Sequence, residues 1–255
     1  MTNDLILTER RGHVLILTIN RPSVRNAFDL ATAKALEAEI DRFESDADLR
    51  VAVLTGGPRF FSAGADLKAA AAGQRPDATA RGWFGLNERP PEKPIIAAIE
   101  GPALAGGCEL ALACDLIVAA SNSSFGLPEV ARGLIASAGA LIRLPRRIPR
   151  ALALEMALTA DPQPARRLYE AGMINVLSEP GEALARALEL AERIARNAPV
   201  SIVATKRIVN STAALSEADS WKAQLSEIER VRASEDYREG LQAFVEKRAP
   251  IWKGR

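Results

Sequence analysis

Short, continuously apolar runs alternate with stretches of helical periodicity along the first half of the chain. Four of these runs occupy residues 14–19, 51–55, 94–99 and 116–120, and each ends in a turn-forming group of Gly, Pro, Asn or Ser. Strands that are buried on both faces carry apolar residues at every position. The pattern therefore predicts buried strands in an α/β layered fold, with a further short strand in S-S-F-G at 123–126.

Helical spacing of apolar residues predicts one early helix and an almost wholly helical second half. Residues 30–45 follow Asp29, a candidate N-cap, and carry an apolar stripe. From about residue 150 onward the periodic segments are 151–158, 182–195, 200–214, 217–234 and 235–248. Because Pro199 interrupts the pattern, we predict an α/β core over residues 1–195 and a helical C-terminal region over residues 196–255.

One segment between the predicted strands has a different composition. Residues 69–94 are rich in Ala, Gly, Pro and charged residues. This composition is typical of irregular backbone, so we predict a partly helical excursion or lid here.

Composition and charge narrow the range of partners. The chain has 255 residues, of which 48% are hydrophobic and 25% charged, and its formal net charge is +1. A near-neutral chain has no general field that attracts nucleic acid or an anionic membrane. No apolar run approaches the roughly 20 residues of a membrane span, and the N-terminal residues lack a long apolar segment. We therefore expect a cytoplasmic protein without a nucleic-acid or membrane partner.

The sequence lacks the residue patterns of several common types of catalytic and binding site. Cys108 and Cys114 lie six positions apart without a CxxC motif, which favours two buried thiols over a disulfide or a metal site. His13 is the only histidine, and its R-R-G-H context indicates a surface turn, although a Ser-His-Asp triad would have to use it. Nucleophile-elbow, P-loop and dinucleotide-binding glycine motifs do not occur. The remaining candidates for chemistry are carboxylates, backbone amides or both.

One glutamate lies within the apolar run A-G-G-C-E-L-A-L-A-C at residues 105–114. In the first turn of a helix, the dipole favours the charged form of Glu109, whereas burial favours the neutral form. This residue either complements the dipole alone or belongs to a reactive site. Glu129, twenty residues later in L-P-E-V, favours a site, because two carboxyl groups aimed at one place can act together as acid and base.

Two glycine-containing turns precede predicted helices. They are F-F-S-A-G-A-D-L-K at residues 60–68 and E-G-P-A-L-A-G-G-C-E at residues 100–109. Glycine allows a tight turn and a close approach of the backbone to a ligand, and the first amides of a helix have no partner within it. Two such turns facing one another would form an oxyanion hole, although glycine can also serve close packing of a helix on a strand.

Three segments in order carry a family resemblance: these two turns and F-G-L-P-E-V-A-R-G-L at residues 125–134. Together with N-R-P-S-V-R-N-A at 20–27 and F-V-E-K-R-A-P at 244–250, they resemble the crotonase, or enoyl-CoA hydratase, superfamily over essentially the whole chain. The resemblance implies an α/β fold with a crotonase-like ββα spiral core and a helical C-terminal trimerisation region. It also implies a homotrimer or a dimer of trimers.

The resemblance further implies reversible hydration of a 2-enoyl-CoA. Glu109 would activate the water that adds at C3, and Glu129 would help to hold that water and deliver the proton to C2. The amides of Ala63 and Gly106 would form the oxyanion hole for the thioester carbonyl. Coenzyme A enters as part of the acyl-CoA substrate, and neither a metal nor a tightly bound cofactor is needed.

Contacts with coenzyme A are implied for ten residues: Arg25, Ala27, Ala63, Gly64, Ala65, Asp66, Leu67, Lys68, Phe244 and Lys247. The last two would serve the site of a neighbouring subunit. Local alternatives stay open, since Asp66 can be the cap of the helix that begins at L-K-A-A, and each lysine can be a solvated surface charge.

The chain departs from the hydratase pattern at three alanines. Ala136 stands where Pro is usual, and Ala105 and Ala140 stand where Gly is frequent. Two stretches, F-F-S-A-G-A-D-L-K-A-A-A-A-G and E-K-R-A-P-I-W-K-G-R, resemble the carnitinyl-CoA dehydratase branch, whose substrate carries a trimethylammonium group. Trp83 and Phe84 are candidate aromatic partners for such a cation, or else they pack the excursion.

Two other functions are compatible with the same fold. An isomerase or a thioester hydrolase would keep the fold and change the reaction. A non-catalytic binding protein, such as an RNA-associating homologue, would lack the chemistry, but the near-neutral charge and the presence of both glutamates argue against it.

Overall fold

The computed structural model describes residues 4–255 and contains two sheets. The strands are β1 (Ile6–Arg11), β2 (Val14–Ile19), β3 (Val51–Thr55), β4 (Ile95–Ile99), β5 (Pro102–Leu104), β6 (Leu116–Ala120), β7 (Ser124–Gly126), β8 (Gln163–Pro164) and β9 (Val176–Ser178). The larger sheet has the order β1-β2-β3-β4-β6-β9, in which only the first pair is antiparallel. The four apolar runs and the short S-F-G segment are therefore confirmed as strands.

Helices surround the sheets. They are α1 (Leu30–Ser45), α2 (Leu67–Ala71), α3 (Gly106–Ala113), α4 (Ala140–Arg147), α5 (Arg150–Thr159), α6 (Ala165–Glu170), α7 (Ala183–Ala195), α8 (Pro199–Thr212), α9 (Glu217–Ala223), α10 (Leu225–Ala233) and α11 (Glu235–Glu246). The predicted helix at 30–45 is confirmed, with Asp29 accepting a hydrogen bond from the amide of Thr32 as its N-cap. The expected mixed α/β architecture is therefore present.

The larger sheet is buried on both faces, which is why its strands are apolar throughout. In β3, Ala52 and Leu54 belong to one core, and Val51 and Val53 belong to the other. The first core also contains α1 and α3, and α7 closes the second core against β3, β4 and β6. The small side chains on α7 allow the helix to approach the sheet closely, and they fall four residues apart at Ala183, Ala187, Ala191 and Ala195.

The smaller sheet forms a second layer that carries the glycine-containing turns. Its order is β5-β7-β8, with β5 and β7 parallel. An isolated parallel bridge between Ser62 and Ala103 attaches the turn at residues 60–66 to β5, and a second bridge joins Ala65 of this turn to Phe28. The passage β4-β5-α3 thus places one strand in each sheet before a helix, as expected for a ββα spiral, and β6 and β7 are likewise divided between the two sheets.

The helical C-terminal region is present, with one correction to the predicted elements. The segment 217–234 is two helices, α9 and α10, that meet at Gln224, whose φ and ψ of −74° and −16° remain helical. The tail after α11 folds back on it, because the buried Asp236 carboxylate accepts hydrogen bonds from the amides of Lys253 and Gly254. Large apolar side chains on this region stay exposed, including Trp221, at 64% of its full area.

The excursion at residues 69–94 consists of two unlike halves. After α2, residues 72–80 are mostly exposed, as a lid would be. Residues 81–87 are largely buried and pack on α1, where the guanidinium of Arg81 pairs with the carboxylates of Asp41 and Glu44. The lid interpretation is therefore wrong for residues 81–87, which we call the buttress segment.

Candidate active site

Glu109 lies in the first turn of α3 and is almost completely enclosed, with 3% of its area exposed. Its Oε1 accepts two backbone hydrogen bonds, from the amide of Ala138 at 2.7 Å and from that of Ala140 at 3.1 Å. Within residues 4–255, no donor pairs with its other oxygen, Oε2. The carboxyl is thus held by one oxygen and can react through the other.

At Glu109 the helix dipole favours the charged carboxylate and burial favours the neutral carboxyl, and in the structure the effect of burial is the larger. The pKa of Glu109 is raised from 4.5 to about 7, mainly by desolvation, and the charge of Glu129 acts in the same direction. The two amide hydrogen bonds and the nearby guanidinium of Arg143 act in the opposite direction, because they stabilise the ionised form. A carboxyl that titrates near neutral pH is suited to accept and return a proton.

Glu129 lies on a short 3₁₀ turn, Pro128–Arg132, directly after β7. Burial raises the pKa of its carboxyl. Its Oε2 is buried, and no residue of the described chain donates a hydrogen bond to it. The structure thus brings the two predicted catalytic glutamates into electrostatic contact, and each has an oxygen without a protein partner.

The two glycine-containing turns face one another. Gly64 has a φ of +88°, and a Cβ built on it would lie 2.6 Å from the amide nitrogen of Gly106. A Cβ on Gly106 would in turn lie 2.2 Å from Cζ of Phe84. Both positions therefore require glycine for close approach, and this contact sets the backbone of residue 64 against the start of α3.

The prediction that the amide of Ala63 is an oxyanion donor is wrong. This amide donates to the carbonyl oxygen of Arg25 at 3.0 Å and is therefore already paired. The amides of Ala65 and Gly106 are different, because neither has an acceptor among the described residues 4–255. Ala65 directly follows the glycine that touches Gly106, so it provides the unpaired amide on this side of the site.

The residues proposed to contact coenzyme A occupy several environments. Arg25 is exposed at a cleft of about 460 Å³ that also contains Arg59 and Phe60, and its guanidinium lies 5.5 Å from the Phe60 ring centroid. Ala27 is buried. The cleft combines two cations with an aromatic face, which suits a phosphorylated nucleotide.

Asp66, directly after Ala65, is a helix cap, which is the alternative that the sequence left open for this residue. The Asp66 carboxylate caps α2 by accepting from the amides of Lys68 and Ala69, and it lies 3.4 Å from the guanidinium of Arg21. Leu67 and Lys68 are exposed on the same turn. An exposed apolar side chain beside an exposed cation leaves this surface open to a ligand.

Phe244 and Lys247 lie on and just after α11, apart from the residues above. Phe244 is the most exposed of the large apolar side chains in the described chain, with 85% of its area accessible. Lys247 is exposed and ends α11 with a φ of 55°.

Phe84 and Trp83 differ in exposure. Phe84 is buried, and its ring meets Gly106 and packs edge-to-face on Phe28 at 5.3 Å, so of its two alternatives the structure bears out packing and not a free aromatic face. Trp83 is half-buried, and its ring centroid lies 5.7 Å from the guanidinium of Arg75. Of the two candidate aromatic partners, Trp83 is the one whose ring face can meet a cation.

The two cysteines and the histidine lie in the environments that the sequence predicts. Cys108 and Cys114 are buried free thiols, and burial raises the pKa of both. His13 is exposed and its Nδ1 pairs with the carbonyl oxygen of Asp48. Within residues 4–255, no cluster of His, Cys, Asp and Glu side chains has the arrangement of a metal site, and no helix has the length and hydropathy to cross a membrane.

Two residues of the site escaped prediction. Arg143 lies on α4 beside Glu109, and Asn87, at the end of the buttress segment, is completely buried. Arg143 had a signal in the sequence, because it is a single charged residue in the apolar run A-L-I-R-L, and the reasoning that selected Glu109 would have found it. Asn87 had no such signal, because the charged residues Glu88 and Arg89 follow it directly.

Comparison with known proteins relates the chain to one family. A sequence model described as enoyl-CoA hydratase/isomerase matches residues 9–255. A protein of Proteus mirabilis named carnitinyl-CoA dehydratase is 44% identical in an alignment of 263 positions, gaps included, that covers the whole of both chains. The protein of the same name from Salmonella typhi is 42% identical over the same span.

Solved structures agree with the family match. The crystal structure of an enoyl-CoA hydratase from Mycobacterium tuberculosis is 51% identical, with a TM-score of 0.96 over 99% of this chain and all of the other. That of a carnitinyl-CoA hydratase from Mycobacterium avium is 41% identical, with a TM-score of 0.80 over the whole of both chains. The spiral α/β architecture is therefore shared with solved members of the family.

Proposed function

Because the chain belongs to the enoyl-CoA hydratase/isomerase family, we propose that it catalyses the reversible hydration of a 2-enoyl-CoA to a 3-hydroxyacyl-CoA. The observation that carries this proposal is the pair of enclosed carboxyl groups, Glu109 and Glu129. Each has a raised pKa and one oxygen without a donor in the described chain. Such a pair can hold one proton between its two members, which is what the addition of water to a double bond requires.

The proposed reaction starts with Glu109 ionised and Glu129 protonated. Glu109 removes a proton from a water molecule whose oxygen bonds to C3, and the electrons of the C2–C3 double bond move towards the thioester carbonyl. Glu129 then gives its proton to C2. The protons balance, because Glu109 ends protonated and Glu129 ends ionised, and exchange with solvent restores the starting pair.

The amides of Ala65 and Gly106 are the proposed oxyanion donors. Their proximity is supported by the contact between Gly64 and Gly106 and by the absence of any other acceptor for either amide within residues 4–255. As the carbonyl oxygen gains charge in the enolate-like transition state, two preorganised donors stabilise it, at about 3 kcal/mol per donor in comparable sites. Gly106 also begins α3, whose dipole adds to this stabilisation.

Coenzyme A is proposed to lie between the cleft at Arg25 and the turn that contains Ala65. The cleft provides guanidinium groups for phosphate, and the exposed Lys68 adds a third cation on the path towards the reacting carbonyl. Phe244 and Lys247 complete the site of a neighbouring subunit in this proposal. Their exposure on α11 supports a homotrimer, or a dimer of trimers, in which another copy covers them. Sedimentation equilibrium of the purified chain tests this assembly.

The test of the reaction is turnover of crotonyl-CoA and of longer 2-enoyl-CoAs, followed by loss of the enoyl absorbance and by mass analysis of the product. Hydration adds one water to the acyl-CoA, isomerisation leaves the mass unchanged, and thioester hydrolysis releases free coenzyme A. We expect the hydrated product alone. If no enoyl-CoA gains water while the protein is folded, the proposal is wrong, and a product of unchanged mass or free coenzyme A would identify the alternative reaction.

Crotonobetainyl-CoA is a second candidate substrate for the same reaction. It is favoured by the relatives named carnitinyl-CoA dehydratase, and the half-buried ring of Trp83 is the candidate partner for its cation, which would take the place of the Arg75 guanidinium on that ring. A trimethylammonium group on the face of this ring would gain about 0.5–2 kcal/mol. If the betaine is the substrate, Trp83→Leu lowers kcat/KM for crotonobetainyl-CoA much more than for crotonyl-CoA; an equal effect on both would reject this candidate.

A further inference from the structure

Asn87 directs its side chain to the loop that holds Glu109. The residue is completely buried, and its Nδ2 donates to the carbonyl oxygen of Ala138 at 2.9 Å. Its Oδ1 has no partner within the described chain, so the side chain makes a single hydrogen bond, and that bond goes to Ala138. The backbone carbonyl of Asn87 accepts a second bond from this region, from the guanidinium of Arg143.

Ala138 connects Asn87 to the carboxylate. Its carbonyl oxygen accepts from Asn87, and its amide donates to Oε1 of Glu109 at 2.7 Å. The amide of Ala140, two residues later, donates to the same oxygen at 3.1 Å. The position of these two amides relative to Glu109 therefore depends on the position of the loop that Asn87 holds.

The buttress segment gives Asn87 a rigid support. At one end of this segment Arg81 pairs with Asp41 and Glu44 of α1. In its middle, the ring of Phe84 is enclosed between Phe28 and the start of α3. A side chain held by a packed segment keeps its donor fixed, as a positioning role requires.

We propose that Asn87 is a positioning residue that fixes the loop at residues 138–140, so that the two amides of this loop hold Glu109 in its reactive orientation. The inference rests on the proposed function of Glu109 as a base. Asn87 itself touches neither water nor substrate in this proposal. It acts through the peptide group of Ala138.

Loss of the Asn87 donor has a defined electrostatic consequence. The titratable and charged groups that face Glu109 are the carboxyl of Glu129 from the 3₁₀ turn, the guanidinium of Arg143 from α4 and the neutral thiol of Cys108 beside it on α3. Substitution of the Asn87 side chain alters none of these groups. The backbone carbonyl of residue 87 also keeps its hydrogen bond from Arg143. Weaker hydrogen bonds from Ala138 and Ala140 stabilise the ionised carboxylate less, so the pKa of Glu109 rises and the acidic limb of the kcat profile moves to higher pH.

Two variants separate the donor from the volume it occupies. Asn87→Leu removes the hydrogen bond and keeps a branched side chain with the same number of heavy atoms and a somewhat larger volume, whereas Asn87→Ala removes both the hydrogen bond and most of the volume. Ser178→Ala is the matched control, because it removes a buried hydroxyl that donates to the carbonyl of Ala119 at 3.4 Å at the far edge of the sheet. Each variant is assayed for kcat and KM with crotonyl-CoA across pH and for thermal unfolding.

We expect both Asn87 variants to lose kcat by about 10- to 100-fold, because a small misplacement of a reacting group has effects of this size. KM stays within a factor of about two, and the acidic limb moves to higher pH in both. A purely structural role would lower the unfolding temperature, most in Asn87→Ala, and leave the pH profile unchanged, as we expect of Ser178→Ala. The proposal is overturned if Asn87→Leu folds and keeps the wild-type kcat and pH profile.

A titration that does not depend on turnover separates this inference from the proposed function. The carboxyl ¹³C resonance of Glu109, assigned by its loss in Glu109→Gln, is followed across pH in the wild type and in the Asn87 variant that folds best. A midpoint that rises in the variant supports the positioning role even if no enoyl-CoA is hydrated. An unchanged midpoint rejects it even if hydration is observed.

Discussion

Two glutamates nine residues apart, Glu100 and Glu109, are both buried and both accept two backbone hydrogen bonds, yet the structure uses them differently. Glu100 follows β4, and its two oxygens are divided between two amides, with Oε2 bonded to Gly181 at 3.1 Å and Oε1 to Ala183 at 2.9 Å. These amides lie at the start of α7, where Glu182 provides no side-chain cap. Glu100 is thus a helix cap supplied from a distant strand.

Glu109 concentrates both of its amide bonds on one oxygen and faces a second carboxyl, that of Glu129. Burial and paired amides are common to both glutamates, so these features alone do not identify a base. The oxygen without a donor and the neighbouring carboxyl are what distinguish the region around Glu109. The comparison predicts that equal substitutions at the two positions have opposite consequences for activity and stability.

The largest expected effect is on turnover. Glu109→Gln keeps both amide bonds, because its amide oxygen can accept them, but it removes the base, and we expect kcat to fall by about 10²- to 10⁴-fold. Glu100→Gln changes kcat by no more than about twofold. Steady-state hydration of crotonyl-CoA by both variants checks this. Equal losses at the two positions would mean that the comparison does not separate a base from a cap.

Stability is expected to change in opposite directions at alkaline pH. The pKa of Glu109 in the folded state, about 7, lies above its ordinary value of 4.5. The stability that the protonated carboxyl contributes is therefore complete below about pH 4.5 and is lost as the pH rises through 7. At pH 8, Glu109→Gln should raise the free energy of unfolding by about 2–3 kcal/mol, because its side chain stays neutral.

Glu100→Gln should lower the free energy of unfolding by about 1–2 kcal/mol at the same pH, because the single oxygen of Gln can accept only one of the two amide hydrogen bonds and its NH2 group cannot accept the other. Urea unfolding of both variants at pH 8 measures the two changes together. A Glu109→Gln variant that is less stable than the wild type at pH 8 would show that its carboxylate is not destabilised by burial.

A smaller effect is expected from Gly106→Ala, which tests the opposing turns. The added Cβ would lie 2.2 Å from the Phe84 ring, so the ring and the turn must move apart and carry the Gly106 amide with them. We expect kcat to fall by about 10- to 100-fold. Gly240→Ala on α11 is the control, because its Cβ makes an ordinary contact with Trp252 at 3.4 Å. A Gly106→Ala variant with wild-type kcat would remove this amide from the proposed oxyanion hole.

The smallest effect is the pH dependence of the wild type itself. Hydration needs ionised Glu109, so below pH 7 kcat should fall by about tenfold per pH unit. It also needs protonated Glu129, so kcat falls again once the pH exceeds the raised pKa of that carboxyl. Glu100→Gln should show the same profile. An acidic limb with its midpoint near 4.5 would contradict the assigned environment of Glu109.

The sequence was sufficient for the parts of the fold that follow periodicity. The strands at 14–19 and 51–55 and the helix at 30–45 depend on local patterns of apolar residues, and all three are present. The choice between Ala63 and Ala65 depends on which amide pairs with Arg25, a contact across a loop that no local pattern encodes.

The burial of the buttress segment also depends on contacts between residues that are distant in the sequence. Residues 81–87 have the composition of a loop, and their burial results from ion pairs with α1 and from the fit of Phe84 against Gly106. Such contacts join residues that are far apart in the chain, so composition alone predicted a partly helical excursion or lid. Beyond the two glutamates, the local signal that pointed to the site was the pair of glycine-containing turns at residues 60–68 and 100–109.

The central claim is that Glu109 and Glu129 act as one unit on one water molecule. Its most direct test is the kcat of crotonyl-CoA hydration for Glu109→Gln, Glu129→Gln and the double variant. Groups that act as a unit give non-additive losses, so we expect the double variant to be about as slow as the slower single variant. A double variant whose loss equals the product of the two single losses would contradict the account.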